Sequence, residues 1–150
     1  MISGISMSAL RILVYLAQQD RHGVNPRRIS EEMGESPTDL SRVTTLLLEA
    51  GVLRAEEDVV RLSRAPIEIS VLDVVEACQG PVVGDYCGSI CLPSEICAFH
   101  QMAEQLHIVI CETLRRWTLE ELRRKPSGEH PSGAGSACLM LPLQSGTTRA

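Results

Sequence analysis

Two helix starts written in the same way constrain this chain more than anything else in it. Asn25-Pro26 and Ser36-Pro37 each set a capping side chain before a proline. The Asn or Ser oxygen accepts a hydrogen bond from an otherwise orphaned N–H, and proline suits the first helical position, whose N–H has no partner anyway. Gly34 and Gly51 stand where such helices stop, because glycine adopts the left-handed conformation of a helix C-terminus without strain. The punctuation predicts a short helix from Pro26 to Met33, burying Ile29 and Met33, and another from Pro37 to about Ala50. Two short helices joined by a tight turn containing Gly34 make the helix-turn-helix pattern. An amphipathic helix precedes them, with Met7, Leu10, Leu13, Val14 and Ala17 at helical spacing over Met7–Gln18.

After Gly51, Val52-Leu53-Arg54 and Val59-Val60-Arg61-Leu62 flank a polar tip, Ala55 to Asp58, and predict a β-hairpin wing. Pro66 breaks the chain, and Ser70 caps a helix over Val71–Cys78 that ends near Gly80-Pro81. Residues 82–94 read as a loop holding two cysteines. A long helix is expected from about Glu95 to Arg124. Phe99, Met102, Leu106, Val109, Ile110, Thr113 and Trp117 fall near one stripe of it. A stripe of that length implies a partner helix and hence a homodimer; the alternative is packing on the chain's own first helices. From Pro126 onward Ser, Gly and Pro dominate, which predicts a disordered tail.

The expected fold is mainly α: a winged helix-turn-helix with a small hairpin wing and a long C-terminal dimerisation helix. Its divisions are a DNA-binding head at 1–66, a linking helix and cysteine loop at 67–94, a dimerisation helix at 95–125 and a tail at 126–150.

Hydrophobic residues make up 44% of the 150 residues but aromatics only 3%, so the core must rest on aliphatic side chains. No apolar run approaches the roughly 18–20 residues of a membrane span, and the first residues lack a secretory signal, so a cytoplasmic location is expected. Six cysteines in such a chain should be reduced thiols, which favours metal or redox chemistry over disulfides. No nucleophile–base motif, glycine-rich phosphate loop or paired carboxylates suggests an enzyme, and no Cys-x-x-Cys is present.

Cys87, Cys91 and Cys97 are separated by gaps of three and five residues. Thiolates are the ligands that iron–sulfur clusters select, and a loop can wrap three of them around one centre. His100 lies one helical turn past Cys97, so both side chains can face one site. Zinc bound by three Cys and one His is a second reading. Buried small hydrophobes, with His100 an ordinary surface residue, is a third. Cys78 and Cys111 sit on apolar helix faces and read as core residues; Cys138, in the tail, has no assigned role.

The ordered set of motifs resembles the winged-helix regulators typified by the iron–sulfur sensors IscR, NsrR and RirA. It comprises Ala9-Leu10-Arg11-Ile12-Leu13, Ile29-Ser30 with Glu32, Leu40, Leu47, Ala50-Gly51-Val52-Leu53, Leu62-Ser63-Arg64-Ala65-Pro66, Ile69-Ser70, Asp73-Val74-Val75, Gly80-Pro81 and the three cysteines. Coverage runs from residue 2 to 124. The resemblance implies a cluster ligated by Cys87, Cys91, Cys97 and His100, as [2Fe–2S] in preference to [4Fe–4S]. A fourth ligand to the latter would come from the other subunit's first helix, where Ser6 and Ser8 stand in place of an acid. The chain departs from the family in its wing tip, Glu56-Glu57-Asp58 with no glycine, in the run from Ser36 to Arg42, and in its short first cysteine gap.

For double-stranded DNA, the second helix of the motif offers Ser36, Thr38, Asp39, Ser41, Arg42 and Thr45. Arg42 suits a bidentate contact to guanine. Arg27, Arg28, Arg54 and Arg61 are candidates for phosphate contacts. Residues 1–66 hold eight arginines and nine acids, so binding should be salt-sensitive, with the acidic tip held off the minor groove. The leading expectation is a dimeric regulator switched by a cluster that senses iron–sulfur status, nitric oxide or redox state. The alternative is a winged-helix protein-interaction module with structural zinc and no specific DNA binding.

Overall fold

The structure, a computed structural model, describes residues 2–19, 22–82 and 97–124. Helix α1 spans Gly4–Gln18, α2 Pro26–Met33 and α3 Pro37–Glu49. Strands β1 (Leu53–Glu56) and β2 (Val59–Leu62) pair antiparallel, and one 3-10 turn (Pro66–Glu68) leads to α4 (Val71–Gln79). Helices α5 (Ala98–Arg116) and α6 (Leu119–Arg123) follow. This is the winged helix-turn-helix that the sequence predicts.

The capping signals act as read. Asn25 and Ser36 accept from the backbone N–H groups of Arg27 (2.9 Å) and Asp39 (3.1 Å). Gly34 and Gly51 end their helices at φ 66° and 69°, and Val52 N–H closes back onto Leu47 O at 2.9 Å. The core is aliphatic: Ile12, Leu13, Ile29, Leu47, Ile69, Val74, Val75 and Leu119 are essentially solvent-free. Helix α1 is its centre and packs on α3, α4 and α6.

Two element boundaries differ from expectation. Helix α1 starts a turn before Met7, because Ser3 caps it and the buried Ser6 hydroxyl donates to Gln79 Oε1 at 2.8 Å. Ser3 N–H donates to the same oxygen at 2.8 Å, so a partner from α4 satisfies polar groups that periodicity alone reads as non-helical. The expected single helix from Glu95 to Arg124 is interrupted. Val71 N–H donates to Trp117 O (2.8 Å) and Leu119 N–H to Ile69 O (3.0 Å), bridging Ser70 to Thr118. Those groups cannot also close helical turns. Thr118 N–H then donates to Glu121 Oε2 at 2.7 Å and starts α6, which turns back and buries Leu119 against α1.

The loop at 83–94, with Cys87 and Cys91, and the tail at 126–150, with Cys138, lie outside the described residues. No helix among the described residues is long and apolar enough to cross a membrane.

Candidate nucleic-acid interface and metal ligands

Helix α3 buries Leu40, Val43 and Leu47 and turns Thr38, Asp39, Ser41, Arg42 and Thr45 to solvent. Not all of this face is free to read a base. Ser36 and Asp39 are tied to each other, with the Ser36 hydroxyl donating to Asp39 Oδ2 at 2.7 Å. The Thr45 hydroxyl donates back to Ser41 O at 2.9 Å. Arg42 and Thr38 project without such ties among the described residues.

A polar lattice fixes α2 and the turn against α1. Tyr15, buried in α1, donates through its hydroxyl to Glu32 Oε2 at 2.6 Å, and Arg28 Nε donates to Glu32 Oε1 at 2.6 Å. Burial first, and the hydrogen bond to Glu32 second, push the Tyr15 phenol up to about 12. The bonds from Tyr15 and then Arg28 hold the Glu32 carboxyl below its usual range. Arg11 reaches Glu35 at 3.2 Å, and the Ser30 hydroxyl donates to Glu35 O at 2.7 Å, so the turn itself is pinned. Arg28 is thus half committed inside the protein, whereas Arg27 is exposed at the first turn of α2.

The wing sets Arg54 directly opposite Arg61. Like charges in register repel, and Glu56 resolves the conflict: Arg61 donates to its carboxylate while Arg54 Nε lies 3.6 Å from the same oxygen. Glu57, at φ 53°, and Asp58 form the exposed tip. Read from the sequence, these acids are repulsion alone; the clasp exists only once Arg54 and Arg61 are set opposite each other. A two-residue turn at 57–58 would have revealed the Arg54–Arg61 register. Tyr15, Arg11 and Glu35 were likewise missed, since their partners are distant in sequence.

Of the metal ligands expected, Cys97 and His100 lie in the described residues. Cys97 is the N-cap of α5, exposed, and its sulfur accepts from His100 N–H at 3.4 Å. His100 is half-buried one turn on. Three thiolates and an imidazole are a donor set suited to an iron–sulfur cluster or to zinc, and Cys97 stands at the positive end of a helix dipole, favourable to an anionic cluster. The described residues contain no complete metal-ligating group. Ser6 is fully buried and bonded to Gln79, so it is not open to a partner subunit. Cys78 is half-buried against the core, with burial raising its thiol, and Cys111 is buried with its sulfur 3.6 Å from His107 Nε2.

On α5, Phe99, Met102, Leu106 and Val109, and Trp117 just beyond it, are each about half exposed or more among the described residues.

The sequence profile of the Rrf2 family, described as an iron-dependent transcriptional regulator, matches residues 3–125. The chain is similar to the solved structure of CymR (YrzC), the global cysteine regulator of B. subtilis. There the TM-score is 0.70 at 22% identity, covering 84% of this chain and 98% of that one. Staphylococcus aureus CymR gives 0.66 at 22% identity, with 84% and 100% coverage. T. potens IscR gives 0.63 at 22%, with 81% and 85% coverage. No curated protein matches.

Proposed function

The chain belongs to the Rrf2 family of iron-dependent transcription regulators, and on that premise we propose that it is a dimeric DNA-binding switch governed by an iron–sulfur cluster. The family is one of DNA-binding regulators rather than enzymes. The observation that carries the reading is the capped α3, whose inner face is locked into the core while Thr38, Ser41 and Arg42 face outward. Arg42 reads guanine, and Arg27, Arg28, Arg54 and Arg61 meet phosphates. Ser36, Asp39 and Thr45 hold the helix in shape and contribute to the contact surface. The head at 1–66 reads DNA, and α5 within 95–125 joins two copies through its apolar stripe in the cytoplasm.

Cys87, Cys91, Cys97 and His100 hold the cluster, [2Fe–2S] in preference to [4Fe–4S]. When bound, such a cluster supplies a centre that reacts with oxidants and nitric oxide and can be lost when iron is scarce. Cys97 caps α5 at the foot of the apolar stripe, so its sulfur couples the cysteine loop to the dimer helix. His100, a ligand that protonates more readily than a thiolate, makes that hold labile. A change in the loop shifts α5, and with it the spacing of two reading heads.

A second reading draws on the wing: Glu56 occupies Arg54 and Arg61, leaving an acidic tip. It takes the protein as an interaction module with zinc on the same four residues.

Anaerobic purification followed by visible spectroscopy, iron and sulfide assay, and DNA titration of loaded and cluster-free protein tests both. A coloured protein that loses its colour in Cys97→Ala and binds defined sites in only one state is expected. Colourless protein holding one zinc and binding no specific site would establish the module instead.

A further inference from the structure

Gln79 is the last residue of α4, and its side chain reaches back to the start of α1. Its Oε1 accepts from Ser3 N–H and from the Ser6 hydroxyl, both at 2.8 Å. Ser3 is the N-cap of α1, and Ser6 lies fully buried in that helix's first turn. In the other direction, Cys87 follows Gln79 by eight residues, through Gly80 and Pro81. We infer that Gln79 is a positioning residue that couples the cysteine segment to the DNA-reading head by holding or releasing the first turn of α1. This rests on the metal-dependent reading proposed above and gives it a route within one chain, apart from the dimer helix.

The first turn of α1 is built to need that hold. Gly4 and Ser6 are weak helix formers, with Ser8 just after them. The turn has no acidic side chain to complement the positive end of the helix. The Ser3 hydroxyl accepts from Ser6 N–H at 3.2 Å, the long end of the ordinary range. Gln79 therefore takes part in the two short bonds of this corner, one of them from a buried hydroxyl that must be satisfied. Without it the Ser6 hydroxyl is left with Ser3 Oγ, 3.0 Å away, and the Ser3 N–H loses its acceptor. A weak turn tied by one side chain from another helix has two states, clamped and frayed.

From that corner the connection to the reading head is continuous. Ala9, Leu10 and Leu13 of α1 share one core with Val71, Val74 and Val75 of α4 and with Leu40, Val43 and Leu47 of α3. Further along α1, Arg11 reaches Glu35 at 3.2 Å and the Tyr15 hydroxyl donates to Glu32 at 2.6 Å. The turn and α2 are thus tied to the helix whose first turn Gln79 holds. A displacement of the end of α4 acts on α1, and through it on α2 and α3 together.

Hydrogen–deuterium exchange of the full protein, metal-loaded and after metal removal, tests this when the amides of residues 6–8 are read beside DNA affinity in both states. In the wild type those amides should exchange about threefold or more faster once metal is removed, as for the loss of one hydrogen bond. Gln79→Leu should exchange fast in both states, and the ratio of loaded to metal-free DNA affinity should shrink by a similar factor. Gln79→Glu keeps the acceptor and sets a negative charge at the start of α1, so it should restore both readouts. A side chain that only stabilises the fold would lower both states alike and leave the ratio unchanged. Ser6→Ala removes one donor and leaves the Ser3 bond, so it should give an intermediate ratio even where Gln79→Leu fails to fold. Equal exchange in the two wild-type states, or an unaltered affinity ratio in the variants, overturns the proposal while metal-bound protein leaves the regulator reading standing. Metal assay of the same samples separates the two, because protein that takes up neither iron nor zinc overturns both.

Discussion

Arg54 and Arg61 face each other across the wing, with Glu56 between their guanidinium groups in the place a phosphate would take. Glu56→Gln should therefore release both arginines to DNA. Fluorescence anisotropy across a salt series is expected to show several-fold tighter binding and a log–log slope steeper by about one to two. An unchanged slope would mean the wing arginines never meet phosphate. Tyr15 is the other residue with a disproportionate part, because it carries the α1 end of the lattice that holds Arg28 in place. Tyr15→Phe should cost about 1.5–3 kcal/mol in denaturant unfolding, the worth of a hydrogen bond to a charged acceptor. Its phenol is raised from an unfolded value near 10 to about 12. A raised folded value means that the stabilisation is complete below pH 10 and disappears as pH climbs through 12. The wild type should lose stability over that interval, and Tyr15→Phe should lose less.

At the scale of elements, the wing is seated by a single close approach. A Cβ on Gly23 would lie 2.5 Å from Val59 Cγ2 and 2.9 Å from Val59 Cβ, beside the bridge between Val24 and Val60. Gly23→Ala should push β2 away, destabilising the fold by about 1–3 kcal/mol and weakening DNA binding by more than its stability loss explains. Thermal melts paired with DNA titration check both. Elements such as α2, α3 and the wing were legible in sequence because their signals are local: Asn25 with Pro26, Ser36 with Pro37, and the glycines at 34 and 51. The start of α1 and the break at Trp117-Thr118 were not, because each depends on a partner far along the chain, Gln79 in one case and Ile69 with Val71 in the other. The candidate DNA face was legible as a set of residue types. Which of them are already bonded within the protein, as Ser36, Asp39 and Arg28 are, follows only from packing. The proposed metal ligands rest on spacing and on the resemblance to the family, with Cys97 and His100 at the root of α5.

For the whole molecule, the proposed dimer rests on the exposed stripe of α5. Replacing Val109, 60% exposed, with Glu should turn the dimer into a monomer in sedimentation equilibrium while helical content is kept. DNA affinity should fall steeply, since two linked heads bind far more tightly than one. A dimer that survives Val109→Glu would move the interface elsewhere. The return of α6 onto α1 has a consequence of another kind. Residues 4–18 are synthesised about a hundred residues before residues 119–123, yet it is the latter that complete the covering of α1. The helix at the centre of the fold must wait, partly bare, for about a hundred residues of synthesis. A nascent chain of this protein is thus exposed to chaperones and proteases until α6 emerges, and pulse proteolysis of stalled chains should show protection arriving abruptly at that length.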